Sequence, residues 1–219
     1  MNYSKLAFTE VIKELQEAAG SRDTYERVER HSYKDGLTPV EKEFIGRIDS
    51  FYLASFGDND FPYIQHRGGP KGFIKVIDPQ TLGIVDFVGN RQYISVGNIA
   101  HHQNVSLILV SYPLRARLKF YARAEVIEIE ERPDLYELLK PSGYKFKAER
   151  LIVFHIEAYD WNCPQHIHPK YSMEEVEAMM AEKDRYINQL ERELAVLRNG
   201  KKQAISIAAD HIRKKRKLP

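Results

Sequence analysis

The sequence predicts a mostly β chain, an antiparallel barrel with flanking helices, followed by one long C-terminal helix. Three observations carry this. From Ser50 onward, short runs rich in β-branched and aromatic residues alternate with clusters of Gly, Pro, Asn and Asp, the pattern of strands and turns. Six or more such runs follow without regularly interleaved helical patterns, so an antiparallel, closed sheet is expected in place of a doubly wound one. After Pro169 the apolar residues fall into a heptad spacing, the signature of a helix with one apolar seam.

Taken in order, residues 3 to 19 space Leu6, Val11, Ile12, Leu15, Ala18 and Ala19 helically, and Gly20-Ser21 make a stop, so an amphipathic entry helix is expected there. Thr38-Pro39-Val40-Glu41 is a helix start: Thr38 as N-cap, Pro39 at the first position, Glu41 three residues after the cap. That short helix is expected to end near Ile48. The strands then read FYLASF, PYIQH, FIKVID, LGIVDFV, VSLILVSY, Arg117 to Ile129, and LIVFHIEAY. In the long sixth run Leu118, Phe120, Ala122, Ala124 and Val126 alternate with Arg117, Lys119, Tyr121, Arg123 and Glu125, so one face is apolar and the other charged. Short helical pieces are expected near Val96 to Gln103 and Pro133 to Leu139.

In the last part, Val176, Met180, Lys183, Ile187, Leu190, Leu194 and Leu197 make about three heptads flanked by charges such as Glu177, Glu191 and Arg192. Asn199-Gly200 is expected to end this helix. The seam suits either a two-helix coiled coil or packing against the protein's own core. The expected organisation is an N-terminal helical segment (1–37), a barrel domain (38–168) and a C-terminal helical extension with a basic tail (169–219).

Composition excludes several classes. With 33 Lys+Arg against 31 Asp+Glu the net charge is +2, too small for long-range attraction to nucleic acid or acidic membranes, so any anion site is local. One cysteine, Cys163, excludes an intrachain disulfide and fits a reducing compartment, with cytoplasm the expected location. Neither a signal peptide nor a membrane span of roughly 20 apolar residues is legible. Cys163, His166 and His168 offer three closely spaced ligand types without a second cysteine, so no metal site is expected. The tail His211 to Pro219, with five Lys or Arg in nine residues, reads as a solvated end.

Two segments carry chemistry. His66-Arg67-Gly68-Gly69-Pro70-Lys71-Gly72-Phe73-Ile74-Lys75 is a basic, glycine-rich turn between strands; Arg grips phosphate in bidentate fashion and Gly lets the backbone approach closely. A plain turn with solvated charges is its other reading. Gly89-Asn90-Arg91-Gln92-Tyr93-Ile94-Ser95-Val96-Gly97-Asn98 collects donors where a strand turns into a helix, and a helix start suits phosphate. Ordinary capping by Ser95 is the alternative. Neither a Rossmann fingerprint nor a Walker motif is present.

As an ordered set, these two segments followed by NIAHHQNVSLILVSYP and RLKFYARAEV resemble the pyridoxamine 5′-phosphate oxidase-like family of FMN-binding split barrels. The resemblance covers about residues 38 to 168, and the ending YDWNCPQHI is similar to that of the predicted flavin-binding branch. It implies a homodimer with FMN at the interface. Lys75 and the turn from Tyr93 to Ser95 would approach the phosphate or ribityl chain, with Arg91, Gln92 and Asn98 in the same pocket. Arg117 would lie by the isoalloxazine ring, Phe73 and Ile74 beside it, and Asn162, Pro164, Gln165 and His166 would come from the partner chain. The C-terminal Arg-x-His element of the oxidase that makes pyridoxal phosphate is missing, and Gln165-His166-Ile167-His168-Pro169 stands near its place.

The expected function is a flavin-dependent oxidoreductase acting on a small planar or heteroaromatic substrate, with Arg67 and Lys71 steering an anionic group and His166 as a candidate proton donor. A flavin carries the electron chemistry, so no further catalytic acid is required. A second reading is a flavin- or tetrapyrrole-binding module without turnover. A third, a nucleic-acid adaptor using the basic tail, has the balanced charge against it. Neither the substrate nor a preference between FMN and a deazaflavin is written in the sequence.

Overall fold

The structure, a computed structural model, describes residues 1–162 and 164–215, with side chains as far as Lys201. The expectations for Cys163 and for the side chains of the basic tail fall outside the described residues. The chain divides into two compact units, Met1–Pro169 and Lys170–Pro219.

In the first unit the N-terminal segment forms three helices, α1 (Tyr3–Ala7), α2 (Glu10–Ala18) and α3 (Arg22–His31). The single helix expected over 3–19 is broken at Phe8-Thr9, where Thr9 takes the extended N-cap geometry of α2. The break lets Tyr3 stack on Tyr121, centroids 5.0 Å apart, while Phe8 meets Tyr25 edge-on at 5.3 Å. Helix α3 has a charged sequence without an apolar stripe. Polar bonds hold it: Arg22 donates to Gln16 (2.5 Å) and Glu29 (2.6 Å), and Asn2 donates to the Glu29 carbonyl (2.6 Å).

Helix α4 (Pro39–Arg47) starts as the sequence predicts. The Thr38–Glu41 capping box is formed, with Thr38 N donating to Glu41 at 2.9 Å. The Trp161 indole donates to the other Glu41 oxygen at 2.8 Å, and the Tyr159 hydroxyl donates to the Gly36 carbonyl at 2.9 Å. Burial is the largest influence on Glu41 and pushes its pKa up, but the Thr38 and Trp161 hydrogen bonds outweigh it and the carboxyl ends below the usual glutamate range.

The strands are β1 (Ser50–Phe56), β2 (Pro62–Gly68), β3 (Lys75–Asp78), β4 (Thr81–Phe87), β5 (Asn104–Ser111), β6 (Ala116–Ile127) and β7 (Ala148–Asn162), with α5 (Ile94–His101) and α6 (Pro133–Leu139) between them. They form one seven-stranded antiparallel sheet in the order β2-β1-β5-β6-β7-β4-β3. The fold class is the expected one, mostly β and antiparallel with flanking helices. Full closure is not reached: among the described residues no ladder joins β2 to β3. An Arg67–Asp86 ion pair between β2 and β4 bridges the gap instead, and the turn after β2 is tied back by Gly69 N to Asp49 O and Gly72 N to Ile48 O. Gly72 has φ +74, and a Cβ at Gly69 would lie 2.6 Å from the Phe73 ring, so these glycines serve the turn and its packing.

Inside the curled sheet, Phe51, Leu53, Leu107, Leu118, Phe120, Ile152 and Phe154 belong to one buried cluster. A second cluster on the outer side of β4 and β7 (Val85, Leu151, Val153) is closed by Leu135 and Leu139 of α6. Both strands are therefore buried on two faces, which is why LGIV and LIVF read as unbroken apolar runs.

The second unit contains α7 (Met173–Lys215), 43 residues long. Ser172 and Glu175 form a capping box at its start, Ser172 N donating to Glu175 (2.8 Å) and Glu175 N to Ser172 Oγ (3.2 Å). The end expected at Asn199-Gly200 does not occur, and the helix runs on to Lys215. A glycine inside a helix costs only about 1 kcal/mol relative to Ala, and good helix formers follow it. Among the described residues no helix is long and apolar enough to cross a membrane.

Candidate functional site

Side chains alternate along each strand, so register decides which charges point into the barrel. Gln65 and Arg67 of β2 pair with Leu53 and Phe51 of β1, both core residues, and share their face. Asp86 of β4 lies in line with Leu82 and Ile84, and Arg150 of β7 with Ile152 and Phe154; Asp86 and Arg150 are cross-strand partners. Four polar side chains thus occupy inward positions at one end of an otherwise apolar barrel. They form its mouth.

The mouth is tightly bonded. Arg67 donates from one Nη to Asp86, while its Nε is buried without an acceptor, as is the Nε of Arg150. Arg150 pairs with Glu149 at 2.9 Å and lies over the Tyr93 ring at 4.8 Å. The Tyr93 hydroxyl donates to Glu149 at 2.6 Å, which raises the phenol pKa. Ser95, only 2% exposed, donates to Gln65 at 2.6 Å, so the start of α5 is pinned across the mouth. Burial pushes the Asp86 carboxyl above the ordinary aspartate range, and the charges of Arg67 and Arg150 only partly offset it.

A cavity of about 50 Å³ opens here, lined among others by Gln65, Arg67, Asp86, Arg91, Tyr93 and Ser95. One water needs roughly 10–15 Å³ on this scale, so the cavity matches a phosphate group and is too small for a fused ring. A second cavity of about 230 Å³ shares Gln65, Arg67 and Asp86 and extends past Phe73 and Ile84. Arg91 and Tyr93 both have left-handed backbones (φ 60 and 57), a conformation that costs a non-glycine residue of order 1–3 kcal/mol and collects at functional sites.

Of the residues singled out by sequence, the structure brings Arg67, Arg91, Gln92, Tyr93 and Ser95 around the smaller cavity. Phe73 and Ile74 are buried core residues, Phe73 also lining the larger cavity. Lys71 is exposed in the turn, and Lys75 opens β3 opposite Gly83. The Asn98 carboxamide donates to Ser55 Oγ at 3.0 Å.

Arg117 and Asn162 are cross-strand partners on β6 and β7. They are outward, because their neighbours Leu118 and Trp161 point into the core side. Pro164, Gln165 and His166 follow in an exposed segment that Arg115 holds, its Nε donating to Ile167 O (3.0 Å) and its Nη2 to Pro164 O (3.4 Å). His166 is left-handed there (φ 64).

Glu149 and Asn162 lie near opposite ends of β7, roughly 40 Å apart along an extended strand at about 3.3 Å per residue. Within one chain the mouth and the Arg117–Asn162 group share neither a face nor an end. Asp86, Arg150, Gln65 and Glu149 were not among the sequence-predicted site residues. The legible sign was Asp86 itself, a lone charge inside the apolar run LGIVDF.

An antiparallel split barrel with a polar mouth is the class of fold that these strands and this cavity define. The chain belongs to the pyridoxamine 5′-phosphate oxidase family, whose model matches residues 37–161. No curated protein sequence matches it. Similar solved structures include a pyridoxamine 5′-phosphate oxidase-type protein from Lactobacillus delbrueckii, with 20% identity, 58% of this chain and 95% of that chain covered and a TM-score of 0.45. HupZ of Group A Streptococcus shows 13% identity, with 62% and 99% covered and a TM-score of 0.44. A Clostridium acetobutylicum protein related to general stress protein 26 shows 15% identity, 61% and 92% covered and a TM-score of 0.39.

Proposed function

We propose that this chain binds FMN as a homodimer and acts as a flavin-dependent oxidoreductase on a small substrate. The observation that carries the reading is the barrel mouth, where the Arg67 Nε–H is buried without an acceptor beside a cavity of phosphate size. A buried donor left unsatisfied costs about 1–3 kcal/mol, and a phosphate oxygen removes that cost with a charge-assisted bond.

In this reading Arg67, Ser95 and the backbone at the start of α5 hold the phosphate, with Arg91, Gln92 and Tyr93 around it. Arg150 supports them through Tyr93 and Glu149. The larger cavity beside Phe73 leads the ligand away from the phosphate, and the ring lies toward the dimer interface. There Arg117, Asn162, Pro164, Gln165 and His166 of a second copy complete the site, since one chain has them on the other face. Lys71 steers an anionic substrate, and His166 supplies a proton. When bound, the flavin supplies two-electron chemistry.

The test is an absorbance spectrum of the purified protein before and after incubation with FMN and gel filtration, read with the apparent mass. Retained absorbance near 450 nm on a dimer of the 25.5 kDa chain, followed by bleaching with a reduced nicotinamide and recovery with an acceptor, is the expected result. Retained flavin that no reductant turns over would make the protein a binding module. Failure to retain flavin at all would overturn the reading.

A further inference from the structure

The seam of α7 carries its own information about what covers it. With Met180, Ile187 and Leu194 at the a positions and Lys183, Leu190 and Leu197 at d, the seam is solvent-facing: Ile187 is 51% exposed, Leu190 39% and Leu194 50%. Helices in proteins draw most of their stability from burying such a face. The flanking charges choose the occupant. At the e positions stand Glu177, Asp184, Glu191 and Arg198, and at g stand Met179, Tyr186 and Glu193.

We infer that α7 pairs in parallel and in register with α7 of a second copy of this chain, forming a two-stranded coiled coil over about residues 176–198. In a parallel pair, g of one helix meets e of the next heptad on the other. Glu193 then faces Arg198 of the second copy, twice by symmetry, and the other contacts set Tyr186 against Glu191 and Met179 against Asp184. No like charges meet at these flanks. An antiparallel pair sets e against e, and three of the four e residues are acidic. Ile187 at a with Leu190 and Leu197 at d is the two-strand preference. Lys183 meets its own copy at d, a cost that penalises other registers; its stem packs while the ammonium reaches water. The pairing owes nothing to the ligand of the barrel, so the two readings fail separately.

The experiment uses the full chain in a Cys163→Ser background, with nitroxide labels at Ala178→Cys, Arg185→Cys or Arg192→Cys, all on the outer f positions and outside the seam; no antiparallel register gives three equal distances at these sites. Label-to-label distances within the dimer are measured by pulsed dipolar spectroscopy. The inference expects a narrow distribution at each position with equal mean distances. Unequal means indicate antiparallel pairing, and broad distributions or no dipolar signal indicate unpaired helices; either overturns it.

Discussion

The two ends of the barrel wall use similar residues in opposite ways. At the mouth, Arg67, Asp86, Arg150 and Gln65 point inward from three strands, and all are braced within one chain by ion pairs and by Ser95. At the far end of β6 and β7, Arg117 and Asn162 point outward, beside an exposed segment whose flanking Pro164 and Ile167 carbonyls accept hydrogen bonds from Arg115. Inward charges are held in place by the fold that buries them, so they arrive preorganised, with the Nε–H groups of Arg67 and Arg150 still without an acceptor. The outward pair is only half-buried, with the Arg117 Nε and the Asn162 Oδ1 enclosed, and a second surface laid on that face would bury it further.

The largest effect expected comes from Arg67→Ala. Losing a charged hydrogen bond to phosphate costs about 1.5–3 kcal/mol, a Kd for FMN roughly ten- to a hundredfold weaker, while riboflavin, which has no phosphate, is far less affected in the same fluorescence titration. The comparison breaks or holds on mixed dimers. Co-purified heterodimers of an Arg67→Ala chain and an Asn162→Ala chain are expected to retain one intact flavin site, because one mouth and one far end remain unaltered across the interface. If both residues serve the same site in cis, the heterodimer retains none.

A pH series sharpens the role of Asp86. Its folded-state pKa is raised above the ordinary 3.8, so its protonation favours the folded chain below that ordinary value, and this contribution is lost as pH rises through the raised one. Protonation also releases Arg67. FMN affinity relative to the Asp86→Asn variant is therefore expected to improve as pH falls toward the ordinary aspartate value, with the phosphate's own titration common to both proteins.

Glu41→Gln is expected to lower unfolding stability by about 1–2 kcal/mol, because the carboxamide keeps one acceptor oxygen and serves either Thr38 N or the Trp161 indole but not both, read as a shifted urea midpoint. The wild-type Glu41 contribution is present above the ordinary glutamate pKa and fades as pH falls through the lowered value. The smallest effect is expected for Asn98→Ala. Its carboxamide is engaged by Ser55, so it loses about 1 kcal/mol of stability with little change in flavin affinity.

What the sequence made legible follows the range of each signal. The Thr38–Glu41 box, the strand pattern and the bounds of α6 rest on residues within one element, and local chemistry settles them. Alternation in β6 placed Arg117 outside and Leu118 inside correctly for the same reason. The break at Phe8-Thr9 was hidden because aromatic contacts to Tyr25 and Tyr121, distant in sequence, override a continuous helical pattern. Helix α3 was hidden because Arg22, Gln16 and Glu29 stabilise it instead of an apolar stripe. Half of the mouth was hidden too: Asp86 and Arg150 become neighbours only through β4–β7 pairing, and nothing local marks a partner more than 60 residues away.

The bonds from Tyr159 to Gly36 and from Trp161 to Glu41 span 123 and 120 residues. During synthesis at about 5–20 residues per second, the segment around α4 therefore waits roughly 6–24 seconds for the strand that fastens it. Through that interval Phe44 and Ile45, which end up fully enclosed, lack the Trp161 indole that later meets Phe44 edge-on. The clasp that steadies the finished barrel is thus among the late contacts to close on a nascent chain, and the stretch before β1 is where a chaperone has a long opportunity to act.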